Sequence, residues 1–230
     1  MSLAAVVFVP HPPLLLATNA GAVDAGRELR ERCRLVLAQA CLDAAPDAIV
    51  LLTGSGDERR GVEPLGVRVG RELLAVGAGA RSADPRRAAA PASPLVMTVP
   101  RDAGREQIAR AAAQLLRCCE TADRVLLLVA GDGSARRDER SPGLPDDRAL
   151  AYDDALVRAV READAAALAD LSAGGRDDEL LIGGRAALQT AGQAVTLAIA
   201  AGARVRAREA ALVDDFGVAY VIGWWACASS

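Results

Sequence analysis

The sequence is poor in the residues that usually carry metal and stacking chemistry. It has one histidine, His11, no lysine, and only two each of phenylalanine, tyrosine and tryptophan. All 27 basic residues are therefore arginines, whose planar guanidinium groups suit carboxylates and phosphates. The net charge of −3 leaves no excess of positive charge, so we expect no nucleic-acid surface. Any metal or acid–base chemistry must be sought first at His11.

The five cysteines form no CxxC pair and no Cys/His cluster with zinc-ligand spacing. Their number is odd, and the apolar N-terminal run lacks a basic leader and is interrupted by prolines. No run approaches the roughly 20 apolar residues that a membrane span needs. We therefore expect a cytoplasmic protein with reduced thiols and no membrane contact.

The stretch Leu3–Leu16, LAAVVFVPHPPLLL, organises the rest of the chain. Its first half is continuously apolar and rich in valine, which predicts a strand buried on both faces of a sheet. Prolines cannot donate ladder hydrogen bonds, so the strand must end at Pro10. His11 is then expected at the carboxyl end of a central strand, where open α/β sheets bind their ligands.

Apolar runs and helical periodicity predict the remaining elements of one domain over residues 1–230. Strands are expected at 47–53, 66–69, 95–99 and 124–130, helices at 22–44, 103–120, 148–162, 164–171 and 186–201, and a closing hairpin at 205–213 and 218–225. The alternation predicts a three-layer α/β/α sandwich with a mostly parallel, mixed central sheet and a C-terminal β-hairpin.

Three polar or glycine-rich loops follow predicted buried strands, and they supply most of the candidate site residues. If the strands are parallel neighbours, these loops converge at one edge of the sheet. A glycine-rich turn there can cradle an anion, although it is more often a tight strand-to-helix connection. The candidate residues in these loops are His11, Ser55, Asp57, Asp132 and Ser134.

The opening VPHPPLLL, the GDGS segment after a buried strand and the closing FGVAYVIGWW resemble the class III extradiol ring-cleavage dioxygenases of the LigB type and the related Memo-like proteins. The resemblance covers most of the chain and is weakest over residues 57–94. It implies a ferrous ion held by two histidines and a carboxylate, with a further histidine as acid–base catalyst.

His11 matches the first metal-binding histidine of that family. Ser55 stands where the second is expected, and Ala135 stands where the catalytic histidine is expected. Memo-like relatives have a cysteine before a Gly-Arg pair, and the nearest match, Gly183-Gly184-Arg185, adds Arg185 to the cleft candidates. No residue matches the family's carboxylate ligand directly; Glu179 is the nearest candidate, and an iron site could also use Asp57 or Asp132 beside His11.

These departures lead to one hypothesis and two alternatives. We predict a divergent family member without ring-cleavage activity or cofactor, which retains its cleft for a small anionic or aromatic molecule or a partner. The first alternative is an active Fe(II)-dependent extradiol dioxygenase with His11 as a metal ligand; the second is a non-metal anion-binding module. Adjacent Trp224 and Trp225 should point to opposite faces, one in the core and one against another layer or subunit, so a homo-oligomer is left open.

Overall fold

In a computed structural model of the chain, six strands form one sheet with helices on both faces. The structure describes residues 3–19, 24–55, 61–77, 93–120, 122–172 and 177–228. The strands are β1 (Leu3–Val9), β2 (Ala48–Gly54), β3 (Leu95–Val99), β4 (Val125–Ala130), β5 (Arg204–Val213) and β6 (Tyr220–Ala228). The helices are α1 (Arg27–Ala44), α2 (Leu65–Gly77), α3 (Arg105–Cys119), α4 (Asp147–Glu162), α5 (Ala165–Ala169) and α6 (Arg185–Ala200). The predicted α/β class is confirmed.

The sheet has the order β3-β2-β4-β1-β6-β5. The pairs β2–β3, β2–β4 and β1–β4 are parallel, whereas β6 runs antiparallel to both β1 and β5. The predicted mixed, mostly parallel sheet and terminal hairpin are therefore confirmed. Because β6 is antiparallel to β1, its first residues lie at the same edge of the sheet as the carboxyl ends of β1 to β4.

A hydrophobic core lies on each face of the sheet. Strand β1 supplies both, because Val7 packs with α1 and α2 while Phe8 packs with α3 to α6. Trp224 and Trp225 divide in the same way, and both are buried. The predicted opposite directions of the two tryptophans are confirmed, and each ring ends in a core layer of this chain.

Helix α2 occupies the segment where a short strand at 66–69 was predicted, and that prediction is wrong. Gly66 and Gly70 weakened the helical signal, because glycine is a poor helix former. The structure explains why they are there: a Cβ on Gly66 would lie 2.0 Å from Thr53 Oγ1, and one on Gly70 would lie 2.6 Å from Leu51 Cδ1. Close packing of α2 on β2 therefore requires glycine at both positions.

Arg30, on the first turn of α1, holds the proline-rich corner after β1. Its side chain is buried, and its guanidinium donates to the carbonyl oxygens of Leu14 and Leu15 at 3.1 and 3.0 Å. The same group pairs with Asp24 at 2.8 Å. Carbonyls left unpaired by the proline corner thus find a charged donor.

Short helix α5 begins as the sequence predicts. The Asp164 side chain accepts a hydrogen bond from the Ala167 backbone N–H at 2.9 Å, which is the expected N-cap contact. The helix ends at Ala169, two residues before the predicted end. Within the described part of the chain, no helix combines the length and apolar character needed to cross a bilayer.

Candidate functional site

A cavity of about 330 Å³ lies at the carboxyl edge of the parallel strands. His11 after β1, Ser55 after β2 and Asp132 after β4 all line it. The predicted convergence of the three loops is therefore confirmed. Apolar side chains, among them Leu65, Leu181, Val218 and several prolines, form the rest of the wall. A few polar groups on a mostly apolar surface are typical of small-molecule sites.

His11 and Asp132 form a pair at the wall of this cavity. The His11 backbone N–H donates to Asp132 Oδ1 at 2.7 Å, and the ring atom Nδ1 lies 3.3 Å from Oδ2. The ring contact falls outside good hydrogen-bond geometry, so it is mainly electrostatic. The two side chains are 14% and 16% exposed, which leaves them within reach of a molecule in the cavity.

Two opposing effects set the pKa of His11. Burial lowers the pKa because it disfavours the charged imidazolium, and the Arg101 guanidinium lowers it further. The Asp132 carboxylate raises it through its charge and its contact with Nδ1, and the net result is a pKa above the ordinary value of 6.5. His11 is therefore cationic over a wider pH range than a free histidine.

Arg101 also lines the cavity, and Gly183 lies close to both Arg101 and His11. The point where a Cβ on Gly183 would sit is 3.7 Å from His11 Nε2 and 3.6 Å from Arg101 Nη2. Both nitrogens therefore lie beside Gly183, close enough together for one carboxylate in the cavity to contact both. Arg101 is exposed, and its guanidinium makes no hydrogen bond or ion pair with any other residue that the structure describes.

Ser134 does not line the cavity, although the sequence placed it among the cleft residues. Its side chain is fully buried, and its hydroxyl donates to Asp153 Oδ2 at 2.5 Å. The Ser134 backbone N–H donates to Asp153 Oδ1 at 2.9 Å, and Arg137 Nη1 contacts Oδ2 at 2.8 Å. The loop after β4 therefore turns Ser134 inward, where it joins the loop to α4.

Arg185 acts behind the cavity and is not part of its wall. Its guanidinium donates to the carbonyl oxygens of Arg101 and Ala103, each at 3.1 Å, and to Gln189 Oε1 at 2.7 Å. Arg185 thus holds the segment that carries Arg101. Glu179 forms a surface ion pair with Arg148 at 2.9 Å and is not among the lining residues.

Of the remaining candidates, one lines the cavity and one lies outside the residues that the structure describes. Ser55 lines the cavity, and its backbone N–H donates to the Val99 carbonyl oxygen at 2.7 Å. Asp57 lies outside the described residues. Ala135, which the resemblance matches to the catalytic histidine, also lines the cavity. Three positions matched to family histidines, namely His11, Ser55 and Ala135, therefore surround one space.

Sequence reasoning missed Arg101 and Tyr220, although each had a signal. Arg101 follows Pro100 directly after β3, so the rule applied to the other parallel strands would have included it. Tyr220 begins β6, whose antiparallel direction brings its start to the same edge. Burial raises the pKa of Tyr220, and the charges of Asp132 and Asp215 raise it further, so its hydroxyl stays protonated.

The side chains at this cavity do not fit the ferrous site that the resemblance implies. That site needs two imidazoles and a carboxylate on one ion. His11 is the only histidine of the chain, and its Nδ1 already faces Asp132. Among the described residues, no group of three or more His, Cys, Asp or Glu side chains comes together. Hydroxyl and methyl groups at Ser55 and Ala135 do not replace imidazole nitrogen.

Comparison with known proteins adds no assignment: no family model matches the chain, and no curated protein matches it significantly. The fold and the cavity together define an α/β protein with a small-molecule-sized site at the carboxyl edge of its sheet.

Proposed function

We propose that this cavity binds a small organic anion with an apolar or aromatic body, and that the chain is a divergent relative of the extradiol dioxygenases that does not cleave rings. The observation that carries the proposal is the placement of Arg101 Nη2 and His11 Nε2 beside Gly183, 3.6 and 3.7 Å from the position that a Cβ on this glycine would occupy. A carboxylate in the cavity beside Gly183 would face both nitrogen groups at once.

The charges at the site favour an anion. Arg101 is always cationic, and His11 carries a charge below its raised pKa. Asp132 is the one carboxylate among the described lining residues, and its Oδ1 already accepts the His11 backbone N–H. An arginine without an acidic partner among the described residues is suited to hold a carboxylate with two parallel hydrogen bonds.

The size and the wall of the cavity favour a small ligand with an apolar part. A volume of about 330 Å³ lies at the lower end of the range for small-molecule sites. Leu65, Val218 and Tyr220 offer apolar or aromatic surface beside the charged groups. Both features suit a short aromatic or branched carboxylate better than inorganic phosphate.

The relation to the dioxygenases is supported by arrangement rather than by chemistry. The positions matched to the family's histidines surround one cavity, yet two of them carry Ser55 and Ala135. Iron-dependent ring cleavage needs ligands that these residues do not supply. We expect substoichiometric iron after anaerobic reconstitution; stoichiometric Fe(II) that is lost in His11→Ala would overturn this part of the proposal.

Calorimetric titration tests the binding, with benzoate, the neutral benzyl alcohol and inorganic phosphate as probes. Benzoate should bind more tightly than either other probe. Arg101→Gln should weaken benzoate binding by roughly 10- to 100-fold, because a hydrogen bond to a charged group contributes about 1.5–3 kcal/mol. Arg110→Gln is the matched control, since Arg110 is exposed on α3 and pairs with Glu106. Equal binding of benzoate by wild type and Arg101→Gln would contradict the proposal.

A further inference from the structure

We propose that His11, oriented by Asp132, is a metal-free general base that moves a proton between carbon and oxygen of a bound 2-oxo acid, so that the protein is a keto–enol tautomerase. This activity rests on the proposed binding of an organic anion in the same cavity. Its parts are a base, a cation for the substrate carboxylate and a donor for the developing enolate oxygen.

The contact with Asp132 assigns the two ring nitrogens of His11 to different tasks. Nδ1 lies 3.3 Å from Asp132 Oδ2, so the negative charge of the carboxylate favours the proton of the neutral ring on Nδ1. Nε2 then carries the lone pair and lies toward Gly183 and Arg101. The carboxylate also stabilises the imidazolium that forms when Nε2 takes a proton. Asp132 is a positioning residue here, because it acts through His11.

Arg101 supplies the cation for the substrate carboxylate. Its Nη2 and His11 Nε2 lie within 3.6 and 3.7 Å of the same point beside Gly183. Arg185 fixes the segment by donating to the carbonyl oxygens of Arg101 and Ala103 at 3.1 Å. A carboxylate held by Arg101 would therefore present its neighbouring atoms to the base. Such positioning is a large part of what a proton-transfer enzyme needs.

Tyr220 supplies the donor for the enolate oxygen. It lines the same cavity, it is 3% exposed, and its hydroxyl makes no hydrogen bond with a described residue. Negative charge that develops on a carbonyl oxygen is stabilised by a fixed donor in a site with little water. Ser55 also lines the cavity but makes no hydrogen bond to His11, so no activated nucleophile is formed there.

The step balances without any further reactant. His11 Nε2 removes a proton from the carbon next to the carbonyl group of the 2-oxo acid. The C–H electron pair becomes a C=C bond, and the carbonyl π pair moves to oxygen to give the enolate. The imidazolium then returns the proton to that oxygen, which forms the enol and restores neutral His11. In the reverse direction the proton returns to carbon.

Phenylpyruvate in D₂O is the probe, because it joins a carboxylate, a carbonyl group and a ring. Proton NMR follows the replacement of its benzylic hydrogens by deuterium against a protein-free buffer sample. The protein should accelerate this exchange, and His11→Gln should lose on the order of 100-fold of the rate, the usual contribution of a general base. Asp132→Asn should lose about tenfold. Arg110→Gln should exchange like the wild type.

A matched pair of glycine variants tests the position of the reacting group. Gly183→Ala places a methyl group between His11 and Arg101, in ordinary contact with both, and should abolish binding and exchange of phenylpyruvate. Gly104→Ala adds a methyl group in open space and should retain both. If Gly183→Ala exchanges phenylpyruvate at the wild-type rate, the proposed geometry is wrong.

Calorimetry on the same samples separates the two proposals. Binding of phenylpyruvate without accelerated exchange would overturn the tautomerase and leave the binding function standing. Failure of both phenylpyruvate and benzoate to bind would overturn both. Exchange that persists in His11→Gln would show that another group is the base and would overturn the role of His11.

Discussion

The loop after β4 involves two carboxylates with different roles: Asp132 belongs to the loop, and Asp153 on α4 accepts hydrogen bonds from it. Asp132 faces the cavity and is 16% exposed, and among the described residues its carboxylate forms a hydrogen bond and an ion pair only with His11. Asp153 is fully buried and accepts hydrogen bonds from Ser134 N–H, Ser134 Oγ and Arg137 Nη1. The acceptor capacity of Asp153 is thus committed to the fold, whereas the Asp132 pair retains a free ring nitrogen beside an open space. Residue type alone does not distinguish a functional pair from a structural one; access and unused bonding capacity do.

The largest expected effect is on stability at the structural cluster. Burial raises the pKa of Asp153, and the donors from Ser134 and Arg137 only partly offset this, so its ionised form depends on them. Asp153→Ala leaves Arg137, which is 10% exposed, without its nearest acid, and should cost about 3–5 kcal/mol of unfolding free energy. Urea unfolding measures it. Asp132→Ala should cost less, about 1.5–3 kcal/mol, which is the range for a hydrogen bond to a charged group; an equal cost would mean that both carboxylates are structural.

The next effect is on the titration of His11. Asp132→Asn removes the charge that raises the pKa of His11, while burial and Arg101 continue to lower it. The pKa of His11 should therefore fall, and because the chain has one histidine, a single Hε1 resonance reports it in NMR. Glu106→Gln, an exposed change on α3, should leave the curve in place. If the His11 titration curve of Asp132→Asn matched that of the wild type, the proposed pairing of His11 with Asp132 would be contradicted.

A smaller effect is the pH dependence of stability that the pair confers. A raised pKa in the folded state means that folding favours protonated His11. This stabilisation is complete below the unfolded pKa of about 6.5 and is lost as pH rises through the folded pKa. The difference in unfolding free energy between wild type and His11→Gln should thus be larger at acidic than at alkaline pH. Asp132 and Arg101 are the charged groups that act on the His11 ring over this pH range. A difference that grows with pH would contradict the pairing.

The sequence predicted the parts of this comparison that depend on pattern. The runs LAAVVFV and VLLLVA indicated buried strands β1 and β4, and parallel strand ends indicated that His11 and Asp132 would meet at one edge. Helix α2 was missed because the glycines that let it pack on β2 also erase its helical signal. The hydrophobic pattern of a segment indicates which residues are buried, but it does not reveal a helix whose glycines are required by packing.

The direction of a loop side chain could not be predicted from the sequence, because it depends on partners that are distant along the chain. Ser134 and Asp132 belong to one short segment, yet one points into the fold and the other toward the cavity. The partner that decides this, Asp153, lies 19 residues later on α4. Nothing local in the segment identifies that partner. The same holds for Arg185, whose contacts with the segment after β3 span more than 80 residues.

The smallest expected effect concerns Ser55, and it decides where an anion would sit. Ser55 lines the cavity, but the structure gives its hydroxyl no hydrogen bond to a described residue, and its backbone N–H is already donated to Val99. Ser55→Ala should therefore change stability by less than about 0.5 kcal/mol. It should also change benzoate affinity by less than about threefold in calorimetry, because Arg101 and His11 hold the carboxylate. A loss as large as that of Arg101→Gln would place the anion in the glycine-rich turn after β2 instead. In that case Asp153 would still be a structural carboxylate, but the anion site would lie at the end of β2 rather than beside His11 and Asp132.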